Sequence, residues 1–116
     1  MFSRREFARF LLGTDVSRYN NHWSPYYRHC TPCIANFSAV LKIDSDNYQE
    51  EQIFLLKQTG LSAPEIINKG PDGEKTSLDY FQTLRCQEIQ KLANIYLFDL
   101  ILFEYDVEHY YKQCLQ

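Results

Sequence analysis

The sequence lacks a hydrophobic run long enough to cross a membrane. Its longest apolar stretch, from Ile95 to Phe103, is interrupted by Asp99 and falls well short of the roughly 18 residues that a membrane-spanning helix requires. The first residues do not read as a secretory signal peptide either, because Arg4 and Arg5 lead directly into an ordinary amphipathic pattern. A transmembrane helix is therefore not expected within these residues.

Glycine is also scarce, and its positions exclude a common kind of phosphate site. A phosphate-cradling loop needs glycines in a strand-to-helix turn, followed by Lys and Ser or Thr. None of the four glycines has that context; they are Gly13, Gly60, Gly70 and Gly73. The sequence thus offers no nucleotide-phosphate cradle of this type.

What is present indicates one modest, ordered domain. The chain has 116 residues, of which 45% are hydrophobic and 16% aromatic, a composition that excludes disorder. Residues 1–30 carry five arginines and two acidic residues. Arginine side chains can bind carboxylate, sulfate or phosphate groups, or they can simply make a helix face polar. Four cysteines fit a reducing compartment, or a lumenal protein with one or two bridges.

Helical patterns dominate, and one strand accompanies them. Residues 34–43, with Phe37, Val40 and Ile43, predict the strand, and residues 61–76 predict a surface linker. The predicted helical segments are a helix capped by Ser3 and Glu6 and ended by Gly13, one from Asp44 or Ser45 to Gly60, a turn from Ser77 to Phe81, a long helix from Ile89 to Phe103, and an aromatic turn from Tyr105 to Tyr111. One strand cannot form a sheet, and the long helix is apolar on two sides, so the chain is expected to be part of a larger protein.

The densest chemistry lies in residues 21–33, which hold two histidines, two cysteines, three aromatic residues, two prolines and an arginine. Two prolines make this segment poor helix or strand, and a rigid loop with rings and donors is where proteins handle ligands. His22 is a possible base or a hydrogen-bonded loop residue. The rings of Tyr19, Trp23, Tyr26 and Tyr27 can stack on sugars or fill the space beneath the loop.

The pair Cys30-x-x-Cys33 admits three interpretations. It can be a redox dithiol, two ligands of a zinc site with His22 or His29, or a structural pair, either bridged or buried as thiols. The structural pair is favoured, since Pro32 and the later strand do not suit a thioredoxin-like unit.

The order of these residues resembles a known family, the Golgi carbohydrate sulfotransferases, which include chondroitin, dermatan and N-acetylgalactosamine 4-O-sulfotransferases. The resemblance rests on three segments: His22-Trp23-x-Pro25-x-Tyr27-x-x-Cys30-x-Pro32-Cys33, Asn36-Phe37-x-x-Val40-x-Lys42, and Tyr96-x-x-Asp99-x-x-x-Phe103-x-Tyr105. Leu41 departs from the family's usual glycine before Lys42.

This resemblance implies that residues 1–116 are the C-terminal portion of a catalytic domain of the α/β class, a mostly helical part of a P-loop-like sulfotransferase fold with one strand. The intact enzyme would transfer sulfate from 3′-phosphoadenylyl sulfate to a glycan hydroxyl, without a metal and without a nucleic-acid partner. The donor-binding motifs and the N-terminal membrane anchor would lie upstream of this chain, in a Golgi lumenal protein. The chain alone is expected to be inactive.

The resemblance also implies roles for individual residues. His22 would be the catalytic base, Trp23, Tyr27 and Arg28 would contact the acceptor, and Cys30 and Cys33 would form a disulfide. Two alternatives stay open: a noncatalytic truncated or degenerate copy, and a small zinc-binding module centred on the His22, His29 and cysteine loop.

Overall fold

The computed structural model describes residues 3–43, 45–63 and 73–114, and within them the regular structure is helical. A 3-10 turn, Val16–Arg18, follows the first helix. The α-helices are α1 (Arg4–Gly13), α2 (Tyr26–His29), α3 (Tyr48–Thr59), α4 (Gly73–Phe81), α5 (Cys86–Ile95), α6 (Leu97–Leu102) and α7 (Glu108–Tyr111). None of the helices in the described ranges is long and apolar enough to span a bilayer.

The described residues form two compact units. The larger unit holds those up to Ala35 and those from Gly73 onward, and the smaller unit holds those from Asn36 to Ala63. The candidate loop of residues 21–33 lies in the larger unit, together with α1, α2 and α4 to α7.

Helix α1 begins as the sequence predicts. The Glu6 backbone N–H donates to Ser3 Oγ at 3.2 Å, and the Ser3 N–H donates back to Glu6 Oε2 at 2.6 Å, which completes a capping box. The Ser3 N–H also lowers the pKa of the Glu6 carboxyl, with help from the Ser3 hydroxyl. The helix ends at Gly13 and buries Ala8 and Leu11.

The core of the larger unit is small and is closed by a disulfide. Ala8, Leu84 and Ile89 are buried, and Leu84 is 0% exposed. Partly buried side chains pack around these three: Phe81, Leu92, Tyr110, Tyr111 and Cys114. A bond between Cys86 and Cys114, with Cα atoms 5.0 Å apart, joins the start of α5 to the segment after α7. Neither Cys86 nor Cys114 belongs to the motifs that carry the resemblance.

The predicted long helix is two helices. Its first part starts earlier than expected, at Cys86, and Tyr96 leaves helical geometry (φ −99°, ψ 16°) to end α5 and precede α6. The two apolar sides also have different surroundings: Ile89 on the first side is buried, whereas Phe98 and Leu102 on the second side are 58% and 42% exposed.

The predicted strand is wrong. Residues 34–43 form turns and irregular backbone, and Phe37, Val40 and Ile43 are all more than half exposed. Side chains that favour strands stabilise one only when another strand pairs with it, and the described residues contain no β-strand. The described part of the chain is therefore mostly helical, as predicted, but it lacks the predicted strand.

The remaining boundaries agree in part. Gly60 ends α3 in the left-handed conformation (φ 70°), as predicted, but the helix begins at Tyr48 rather than at Asp44 or Ser45. Asp44 and residues 64–72 of the predicted linker lie outside the described residues. Residues 73–76 belong to α4, so the predicted turn from Ser77 to Phe81 is the second half of that helix.

The disulfide gives a first prediction. Cys86→Ser is expected to lower the free energy of unfolding of the larger unit by about 3–4 kcal/mol, because the bridge closes a loop of about 30 residues in the unfolded chain. Urea unfolding followed by the fluorescence of Trp23, the single tryptophan, measures it. The exposed Cys33→Ser is the control and should unfold like wild type. Equal stability of Cys86→Ser and wild type would contradict the bridge.

Candidate functional site

The loop that carries the sequence motif has an ordered backbone. The N–H groups of Trp23 and Ser24 donate to the Asn20 carbonyl at 3.1 and 2.9 Å, and the His22 N–H donates to Asn20 Oδ1 at 3.0 Å. Pro25 is fully buried, and the short helix α2 begins directly after it. The proline thus fixes the point where the turn becomes a helix.

A buried carboxylate from α6 caps that short helix. Asp99 is 7% exposed; its Oδ2 accepts from the Tyr26 N–H at 2.6 Å and its Oδ1 from the Tyr27 N–H at 2.8 Å. Pro25, at the cap position, makes no side-chain cap of its own. The free N–H groups at the start of α2 are therefore satisfied by a residue more than 70 positions along the chain.

Tyr96 holds the loop on the other side of Pro25. Its hydroxyl donates to the Trp23 carbonyl at 2.7 Å. Burial, with smaller contributions from the nearby Tyr19 and Asp99, raises the pKa of Tyr96 to about 12. The hydroxyl is therefore a neutral donor at physiological pH.

Aromatic rings pack edge-on around these hydrogen bonds. The Tyr27 ring contacts Phe98 with centroids 5.2 Å apart, and Trp23 contacts Phe7 at 5.5 Å. The indole Nε1–H of Trp23 is buried and finds no acceptor among the described residues. A buried donor without a partner costs about 1–3 kcal/mol. The loop is therefore held chiefly through its backbone.

The structure divides the predicted site residues into exposed and half-buried side chains. His22 and Arg28 are exposed. Trp23 and Tyr27 are half-buried, because part of each ring packs against the protein. Tyr19 lies beneath the loop, buried, with its hydroxyl donating to the Leu11 carbonyl. Of the four rings considered for stacking, Tyr19 is therefore a packing residue.

Arg28 shares its surroundings with a second arginine. The Ser17 hydroxyl and N–H lower the pKa of the Asp15 carboxyl, and the charges of Arg28 and Arg18 lower it further. Both arginines thus act electrostatically on the same carboxylate. Sequence reasoning did not assign Arg18 to the site.

The two cysteines of the loop are exposed free thiols, so the predicted Cys30–Cys33 bridge is not formed in this structure. Cys30 keeps near-helical backbone geometry at the end of α2. Thr31 then adopts a left-handed conformation (φ 45°), so the backbone changes direction between the two cysteines. The ranges that the structure describes bring no three His, Cys, Asp or Glu side chains together as metal ligands. The zinc-module alternative is not favoured.

Tyr96 and Asp99 are the site residues that sequence reasoning left without a role. Both belong to the closing pattern on which the resemblance rests, and Asp99 is the charge that interrupts the longest apolar stretch. A carboxylate within such a stretch is a signal of a buried, hydrogen-bonded group.

Comparison with known proteins then gives the family. A family profile described as "Sulfotransferase family" matches residues 3–106. The chain belongs to the sulfotransferase family. The match runs through the anchored loop, Tyr96 and Asp99.

Curated relatives of this sulfotransferase chain are carbohydrate sulfotransferases. Carbohydrate sulfotransferase 11 of Rattus norvegicus is 25% identical over 114 residues, which cover 92% of this chain and 32% of the relative. Carbohydrate sulfotransferase 14 of Danio rerio is 26% identical over 107 residues, 86% of this chain and 28% of the relative. Carbohydrate sulfotransferase 14 of Homo sapiens is 43% identical over 35 residues, 30% of this chain and 9% of the relative.

The chain spans about a third of the length of the curated relatives that it matches over most of its sequence. No solved structure matches it.

The pKa of Tyr96 gives a second prediction. The folded state keeps this hydroxyl protonated up to about pH 12, whereas the unfolded chain loses the proton near pH 10. The unfolded state therefore binds fewer protons between these values, and the free energy of unfolding should fall as pH rises through this window. Urea unfolding at pH 9 to 11.5 measures the slope, which should flatten in Tyr96→Phe.

Leu84→Ala is the control for that experiment. It removes buried apolar atoms and no ionisable group, so it should lower stability by about 2–5 kcal/mol while keeping the pH slope of wild type. An unchanged slope in Tyr96→Phe would contradict the assignment to Tyr96.

Proposed function

We propose that this chain forms the acceptor side of the catalytic domain of a carbohydrate sulfotransferase. The complete protein would transfer the sulfuryl group of 3′-phosphoadenylyl sulfate to a hydroxyl of a glycan. The observation that carries the proposal is the anchored loop: His22 and Arg28 face solvent on a backbone that α6 holds in place. Membership of the family and the names of the relatives support the reaction class.

The residues of the loop have separate roles in this proposal. His22 accepts the proton of the sugar hydroxyl as its oxygen attacks sulfur, and 3′-phosphoadenosine 5′-phosphate leaves from the opposite side. Arg28, with Arg18 nearby, attracts acidic substituents of the glycan. Trp23 and Tyr27 offer the exposed part of their rings to the sugar.

The setting of the complete protein is part of the proposal. The bond between Cys86 and Cys114 supports an oxidising compartment, such as the Golgi lumen. The donor site and a membrane anchor would belong to other parts of the complete protein. In that compartment the exposed thiols of Cys30 and Cys33 are also available for oxidation to the bridge that the resemblance implies.

Glycan binding by the chain itself is a third prediction. Unsulfated chondroitin hexasaccharide, added to the chain during an NMR titration, should shift the amide signals of residues 21–30. Arg28→Ala should weaken binding about three- to tenfold, since a charge-assisted hydrogen bond is lost. Lys91→Ala, an exposed cation on α5, is the matched control and should bind like wild type. Equal shifts with the neutral maltohexaose would contradict recognition of an acidic glycan.

Sulfate transfer is the fourth prediction, and it needs a donor site. A chimera in which this chain replaces the matching third of the rat carbohydrate sulfotransferase 11 should sulfate chondroitin. In that chimera His22→Ala should lower kcat at least about a hundredfold, the usual effect of removing a general base. His29→Ala, in the same loop and equally exposed, should keep most of the activity. A chimera that binds 3′-phosphoadenosine 5′-phosphate but transfers no sulfate would refute the proposal.

A further inference from the structure

We infer that Tyr96 and Asp99 are positioning residues for the acceptor, although neither side chain would touch it. We call the two the clamp. This inference rests on the proposed function of the loop and adds the residues that set its affinity.

The clamp acts on the loop backbone on both sides of the buried Pro25. Tyr96 binds the carbonyl of Trp23, before the proline, and Asp99 binds the N–H groups of Tyr26 and Tyr27, after it. Backbone hydrogen bonds leave side chains free, so the exposed side chains on either side of the proline remain available to a ligand. Fixing both ends of a turn in this way lowers the conformational entropy that a ligand must otherwise remove.

Both members of the clamp belong to one short stretch of chain. Leu100 donates its N–H to the Tyr96 carbonyl at 3.0 Å, so Tyr96, the cap residue before α6, lies one helical turn from Asp99 in the first turn of α6. Residues three apart on a helix project from the same face. The break between α5 and α6 occurs at Tyr96 itself, so the same residue sets where α6 begins and holds the loop.

The chemistry of Asp99 makes it hard to replace. Asp99 has two backbone N–H groups as hydrogen-bond partners. A carboxylate can accept from both N–H groups at once, whereas an asparagine side chain has a single oxygen and a donor NH2 group. Asp99→Asn therefore leaves one N–H of α2 facing a donor while keeping the side-chain volume.

The experiment compares Asp99→Asn and Tyr96→Phe with two controls. Asp106→Asn alters an exposed carboxylate that accepts from the Glu108 N–H at 2.8 Å. Tyr48→Phe removes a tyrosine hydroxyl of the smaller unit, which accepts from Gln52 Nε2 at 3.2 Å. Three quantities are measured for each: amide hydrogen exchange by NMR, the emission and iodide quenching of Trp23, and affinity for unsulfated chondroitin hexasaccharide.

In Asp99→Asn, exchange at Tyr26 and Tyr27 should accelerate and affinity should fall, each by about tenfold, the usual effect of losing a hydrogen bond to a charged group. The core amides of Leu84 and Ile89, which donate to Phe81 and Arg85, should keep their protection. Tyr96→Phe should change Trp23 emission and weaken binding several-fold. Both controls should match wild type.

The outcomes separate the inference from the proposed function. Wild-type affinity in both clamp variants would overturn the inference and leave the proposed function standing. If Asp99→Asn removes the exchange protection of Leu84 and Ile89 as well as that of the loop, Asp99 is a general structural residue. The Tyr96→Phe variant then decides, because unchanged Trp23 emission and unchanged affinity in it would overturn the inference. If wild type binds no hexasaccharide, the proposed function fails, and with it the acceptor role of the clamp.

Discussion

The buried carboxylate of Asp99 is the constraint on which the larger unit depends. Burying a charged group is costly unless hydrogen bonds replace its hydration, and both bonds come from backbone N–H groups at the start of α2. The loop and α6 must therefore meet wherever this chain is folded. The edge-on contacts of Tyr27 with Phe98 and of Tyr26 with Phe103 follow from that meeting.

Helix α6 also leaves apolar side chains exposed. Leu97, Phe98 and Ile101 are each more than 40% exposed in the described structure. A helix with apolar side chains on two sides is typical of one that packs between layers, and the chain spans about a third of the length of its relatives. Within the proposed enzyme, α6 would join the acceptor loop to the remainder of the catalytic domain.

The features that could be predicted are those that depend on neighbouring residues. The capping box of Ser3 and Glu6 needs only two side chains three positions apart, and Gly60 needs only its own freedom to adopt positive φ. The strand at residues 34–43 was wrong because a strand depends on a partner elsewhere in the chain. The helix break at Tyr96 was missed because the apolar periodicity continues through it.

The sequence by itself determined the composition of the loop, the helical character of most segments and, through the order of its motifs, the resemblance to carbohydrate sulfotransferases, since these depend on residue identity and spacing alone. Only the tertiary structure decided that Cys86 pairs with Cys114, that Tyr19 is buried, and that Tyr96 and Asp99 hold the loop. Each of these features either joins residues that are distant in sequence or depends on which residues cover a side chain. The spacing of residues along the chain reveals neither their distance in the folded protein nor their burial.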